Sequence, residues 1–190
     1  MFLKESAVKK IIKGAYSRSE LFIANLKMDY IIYCSRWIIQ IDKKSMPNKI
    51  KGAIIELTGE FPEQGEKKCY GPDNEYVPEV EKEEKWEKVL DVGTAVCSYT
   101  ITSGMYERNG NIARIIQTED GNKYAVSENV VAAVKCNEDV YGPLGRDNQG
   151  GKVIWYDDNC LLMAFTVESD KEKEILDRMA SINLPDRYHG

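Results

Sequence analysis

The sequence predicts an α+β fold in which helices pack on an antiparallel sheet. Three observations carry that expectation. Residues 21–41 hold three short runs of β-branched and aromatic residues, Leu21 to Leu26, Tyr30 to Cys34 and Trp37 to Ile41, with breaks short enough for tight turns. The runs are apolar almost throughout, which suits a sheet covered on both faces, one of them by helices. Upstream, Val8, Ile11, Ile12 and Ala15 fall on one stripe of a helix over residues 4–15, with Lys9, Lys10 and Lys13 opposite. Downstream, residues 108–111 and 119–122 contain Asn-Gly and Asp-Gly, dipeptides that tolerate the positive φ of a hairpin turn.

The first helix is expected to lie across the 21–41 meander, apolar side inward and ammonium groups outward. A second helix follows, because Ile50, Ala53, Ile54 and Leu57 repeat at helical spacing between a start near Ser45 and Pro47 and a stop at Gly59. A strand over 53–57 is the competing reading. Residues 59–88 then change character, being rich in charge, Pro and Gly and nearly empty of aliphatic side chains. They read as a long acidic loop or insertion with a helical turn after Pro78 and Trp86 as its apolar anchor.

From Val89 onward strands resume. Residues 112–116 read as a central strand and 123–126 as its neighbour, followed by a short helix from Ser127 through Val134. Residues 141–151 read as a glycine-rich loop. Lys152 to Tyr156 and Cys160 to Val167 form a hairpin around Asp157-Asp158-Asn159, and a last helix starts at Ser169, whose spacing to Glu172 is that of a capping box. That helix is expected to turn Ile175, Leu176, Met179 and Ala180 to the core, leaving a loose tail from Leu184. The organisation expected is a helix-meander-helix module at 1–58, the insertion at 59–88, and strands with two helices at 89–190, the outer parts forming one compact domain.

With 190 residues, 43% of them apolar, the chain can bury a sizeable core. Its apolar runs fall short of the roughly 20 residues a membrane span needs, and charges interrupt its first ten residues where a signal peptide is hydrophobic. A cytoplasmic location with no membrane partner is the expectation. Five cysteines, Cys34, Cys69, Cys97, Cys136 and Cys160, lie far apart with no Cys-x-x-Cys pair, so they outline neither a disulfide framework nor a zinc site. All but Cys69, which falls in the polar segment, read as small core residues.

The net charge of −5 is unevenly placed: residues 1–60 carry eleven Lys or Arg against six Asp or Glu, and the remainder is strongly acidic. A basic N-terminal part can hold an anionic partner while the acidic remainder limits indiscriminate binding. The single histidine, His189, is the penultimate residue, which removes histidine-dependent catalysis and histidine zinc sites from consideration. Residues 145–152 resemble a phosphate-binding loop at a glance, but an extra glycine displaces Lys152 and Val153 stands where a magnesium-binding hydroxyl belongs. No catalytic residue, metal ligand or cofactor is assigned. Lys9, Lys10 and Lys13 on the first helix, with Lys43, Lys44, Lys49 and Lys51 around the second, are the candidate DNA-binding residues, their role being backbone neutralisation.

The order of elements resembles a known family. A basic helix, strands ending in Trp37 to Ile41, a connection with Pro47, Lys123-Tyr124-Ala125-Val126 running into the helix 127–134, and the closing run Pro143-Leu144, Val153-Ile154 and Cys160-Leu161-Leu162-Met163 look like the DNA-clamp fold. They are similar to bacterial sliding-clamp (DNA polymerase β-subunit) domains and small clamp-like phage proteins. Ala164-Phe165 stands where that family has a proline, and the chain has room for one clamp domain, so a ring would need many subunits. The resemblance implies a clamp-like helix-on-sheet arrangement and a non-enzymatic DNA- or replication-associated accessory protein of phage or mobile-element type, with duplex DNA as partner. The alternative is a protein–protein interaction module that engages a basic partner through the acidic 59–88 segment.

Overall fold

The computed structural model describes residues 1–72, 78–95, 97–108, 110–135, 139–145, 151–166 and 170–187. Helix α1 spans Glu5–Ser17 and buries Val8, Ile11, Ile12 and Ala15, the four residues of its apolar stripe. Strands β1 (Leu21–Asn25), β2 (Asp29–Cys34) and β3 (Trp37–Asp42) follow as an antiparallel meander. Helix α2 (Asn48–Thr58) buries Ile50 and Ile54 and ends at Gly59, whose φ of 78° is the left-handed geometry a glycine stop supplies. Pro47, in extended geometry, precedes its first turn. Ser45 does not cap it: the hydroxyl donates instead to Asn159 Oδ1 at 3.0 Å, tying the β3–α2 turn to a distant hairpin.

The segment read as a loop carries regular structure. Strand β4 (Glu66–Tyr70) pairs antiparallel with β1 along its length, β5 (Glu79–Val80) adds the edge, and α3 (Glu83–Val89) lies over the sheet. Trp86 is its anchor, 4% exposed and set edge-on to the Tyr33 ring at 5.1 Å. Cys69 therefore sits in a strand opposite Phe22, its thiol donating to the Ser19 carbonyl, and not in a polar loop.

After a short 3-10 turn (Val92–Thr94) come β6 (Cys97–Arg108), β7 (Asn111–Thr118) and β8 (Lys123–Ser127), then the brief helix α4 (Glu128–Val131). Gly110 and Gly121 take φ of 75° and 84° at the two hairpin turns. Ser127 stands at the head of α4 without a side-chain cap, and Val134 leaves the helix to bridge Leu3. Tyr141–Gly145, expected to be loop, is strand β9. Residues 146–150 of the glycine-rich stretch, Cys136, Ser169 and His189 lie outside the described residues. Strands β10 (Lys152–Asp157) and β11 (Cys160–Phe165) form the anticipated hairpin, and α5 (Asp170–Arg178) closes the order. Leu176 is buried on α5, but Ile175 and Ala180 face solvent, because the helix makes contact along a narrow strip only. The tail is not loose as far as Arg187: Ser103 N–H donates to Pro185 O, Arg187 N–H donates to Ile101 O, and Leu184 packs against α5's cluster.

The strands form one antiparallel sheet in the order β5-β4-β1-β2-β3-β11-β10-β9-β6-β7-β8. Twelve-residue β6 is its corner, pairing with β9 through Cys97 and Ser98 and with β7 beyond. The sheet curls there, so that Ile116 of β7 and Val126 of β8 enter the same core as Ile39 and Leu162. Helices α1, α2 and α4 fill this concave side. On the other face α3 packs on Ile31, Ile38, Leu161 and Met163, and α5 with the tail packs on Ile115 and Ala125. Both faces are covered, as the unbroken apolar runs require.

Candidate nucleic-acid interface

The lysines of α1 and α2 owe their placement to the apolar stripes beneath them. With Val8, Ile11 and Ile12 between 0% and 6% exposed, the helix cannot roll, and Lys10 and Lys13 are held in solvent with Lys9 half-buried on the flank. Ile50 and Ile54 fix α2 in the same way, leaving Lys49 and Lys51 exposed. Lys49 Nζ lies 3.3 Å from Glu5 Oε2, an ion pair that joins the start of α2 to the start of α1. Lys9, Lys10, Lys13 and Lys51 have no carboxylate partner among the described residues.

The other two expected residues stand apart from the helices. Lys43 lies at the end of β3 with its ammonium 5.2 Å over the Tyr30 ring and 3.3 Å from the Lys27 carbonyl, so its charge is partly spent locally. Lys44 is exposed in the turn, where its backbone N–H donates to Asp42 Oδ1 at 2.8 Å. The structure adds two lysines that sequence spacing could not find. The bridge between Leu3 and Val134 brings exposed Lys4 and Lys135 to the head of α1: Lys4 N–H donates to Ala133 O and Lys135 N–H to Phe2 O, both at 2.8 Å. They are 131 positions apart in the chain, and no local pattern announces the pairing.

Together α1 and α2 carry five lysines against two glutamates, whereas α3 and α5 on the opposite face each hold one more acid than base. One face of the sheet thus presents fixed cations and the other a mild excess of carboxylate. Such a face can neutralise phosphates. Among the described residues no three His, Cys, Asp or Glu side chains are grouped to hold a metal ion. Burial pushes the Cys34 and Cys160 thiols up from their ordinary values, which makes both poor nucleophiles. No helix among the described residues is long and apolar enough to cross a membrane.

No protein-family model matches the chain, and no curated protein matches it. Among solved structures, it is similar to a putative DNA polymerase III beta subunit from Eubacterium rectale ATCC 33656, with 9% identity over 96% of this chain and 67% of that one, at a TM-score of 0.35. That is a weak resemblance in fold outline, and at this score it carries neither family membership nor function.

Proposed function

We propose that this chain is a non-enzymatic accessory protein that holds the phosphate backbone of duplex DNA against its α1–α2 face. The observation that supports it best is the set of ammonium groups without a carboxylate partner among the described residues, Lys9, Lys10, Lys13 and Lys51, on helices whose apolar stripes are locked into one core. Because the helices are already fixed, no backbone has to be ordered on meeting phosphates, and each contact releases condensed counterions from the duplex. Lys4 and Lys135 extend the same surface at the head of α1. In this reading the arrangement is clamp-like in laying a basic helix over an antiparallel sheet, and the role is in DNA replication or a related process of phage or mobile-element type. No base-reading element is invoked, so recognition is of backbone and shape.

Fluorescence anisotropy with a labelled DNA duplex at rising salt tests this. Binding at low salt should fall linearly on a log–log plot, with a slope of about −0.9 for each phosphate neutralised. The variant Lys9→Glu/Lys10→Glu/Lys13→Glu should retain the circular dichroism of the parent and lose binding. Failure to bind at low salt, or equal binding by the triple variant, refutes the proposal.

A further inference from the structure

We propose that the cleft between α3 and the β1–β2 turn is a docking site for a partner protein, taking a Lys- or Arg-bearing apolar peptide segment. The cleft, of about 310 Å³, opens on the sheet face opposite α1. Leu26, Trp86 and Leu90 form an apolar floor, and Asp29, Glu83 and Glu87 stand around it with Gln40. Among the described residues three carboxylates and no lysine or arginine line it, so no cation of the cleft's own lining offsets their charge.

The carboxylates are positioned and still available. Glu83 Oε1 accepts the Lys27 N–H at 2.7 Å, and Asp29 Oδ2 accepts from Gln40 Nε2 at 3.0 Å, so each is oriented through one oxygen and leaves the other uncommitted. Exposed Glu87 has no partner among the described residues. Lys85, Trp86's neighbour in the chain, does not line the cleft: its ammonium is 3.4 Å from Glu81 Oε1 and 5.0 Å from the centre of the Trp86 ring. An apolar floor ringed by acids matches the amphipathic shape of a lysine or arginine, whose methylene stem covers the floor while its head meets the carboxylates. Met28, 51% exposed, lines the mouth of the same cleft and adds a flexible apolar contact, which suits a chain segment more than a small cation. The acidic segment thereby acquires a specific wall, α3, and a partner chemistry.

The test uses a fluorescein-labelled peptide of alternating lysine and leucine, with a glutamate-for-lysine counterpart as control. The lysine peptide should bind and shift the indole N–H resonance of Trp86 but not those of Trp37 and Trp155, which lie on the α1 side of the sheet. Glu87→Lys combined with Met28→Lys, both at exposed positions, should weaken binding at least about tenfold by placing like charge on the rim. The α1 triple variant, which loses DNA, should bind the peptide unchanged. Equal binding of the glutamate peptide, indifference to the rim variant, or free arginine binding as tightly as the peptide would each overturn the proposal, as would no binding at all.

Discussion

Tyr33 and Tyr70 show how position converts an ordinary side chain into a condition on stability. Burial pushes both phenols up, that of Tyr70 to about 12 from 10.0, with Glu60 and Glu66 adding to the effect; Glu81 and Glu79 do the same for Tyr33. Both phenols hold their proton more tightly folded than unfolded. The contribution of Tyr70 is complete below pH 10.0 and is lost as pH rises through about 12; that of Tyr33 is lost further up the same alkaline side. Thermal midpoints should therefore fall steeply on that alkaline limb, and Tyr70→Phe, which removes one titrating group and the hydrogen bond to Glu60 O, should flatten it. A limb unchanged by the substitution would contradict this. Neither shift was legible in the sequence, where Tyr70 sits in a polar stretch; its burial follows from β4 pairing with β1, which sets Tyr70 opposite Leu21, 49 positions earlier.

Elements with strong periodicity were readable, and those made by a neighbour were not. Helix α1 and the meander follow from residues that bury themselves in one place, and the hairpin turns from glycines whose φ the turn demands. Strand β4 reads Glu-Lys-Lys-Cys-Tyr, a sequence with no apolar alternation, and exists because β1 offers it a row of backbone partners. The tail is ordered for a similar reason, and its lock is a buried ion network. Arg114, 4% exposed on β7, gives Nε to Glu128 Oε2 at 2.7 Å and Nη1 to the Thr102 and Ser103 carbonyls at 3.1 Å, while Arg187 Nη1 approaches Glu128 Oε1 at 3.3 Å. One carboxylate thus joins α4, β7 and the tail. Glu128→Ala leaves the Arg114 guanidinium buried without its anion and should cost about 3–5 kcal/mol, seen as a lower urea midpoint. Adding Arg114→Met should recover part of that loss, since the uncompensated charge goes with it.

At the scale of the molecule, the β1-β2-β3 meander and the β9-β10-β11 meander meet antiparallel at the centre of the sheet, where Ile39 faces Leu162. Helix α1 packs against both α2 and α4, which sets exposed Lys135, just past α4, on the same side of the sheet as the lysines of α1 and α2. A sequence reader sees the charges of α1 and α2 but not that folding adds Lys135 to them. Unequal commitment of these lysines gives a graded expectation. Lys10, Lys13 and Lys51 are exposed and unpaired among the described residues, so replacing any one with alanine should reduce the salt slope of DNA binding by about 0.9. Lys135→Ala should do the same if it shares one surface with the lysines of α1 and α2. Lys49 is shared with Glu5 and Lys43 rests on Tyr30, so their replacement should move the slope less. Slopes measured for the five single variants and Lys135→Ala separate a defined backbone-binding face from a diffuse positive field, because a diffuse field would give six equal and small changes.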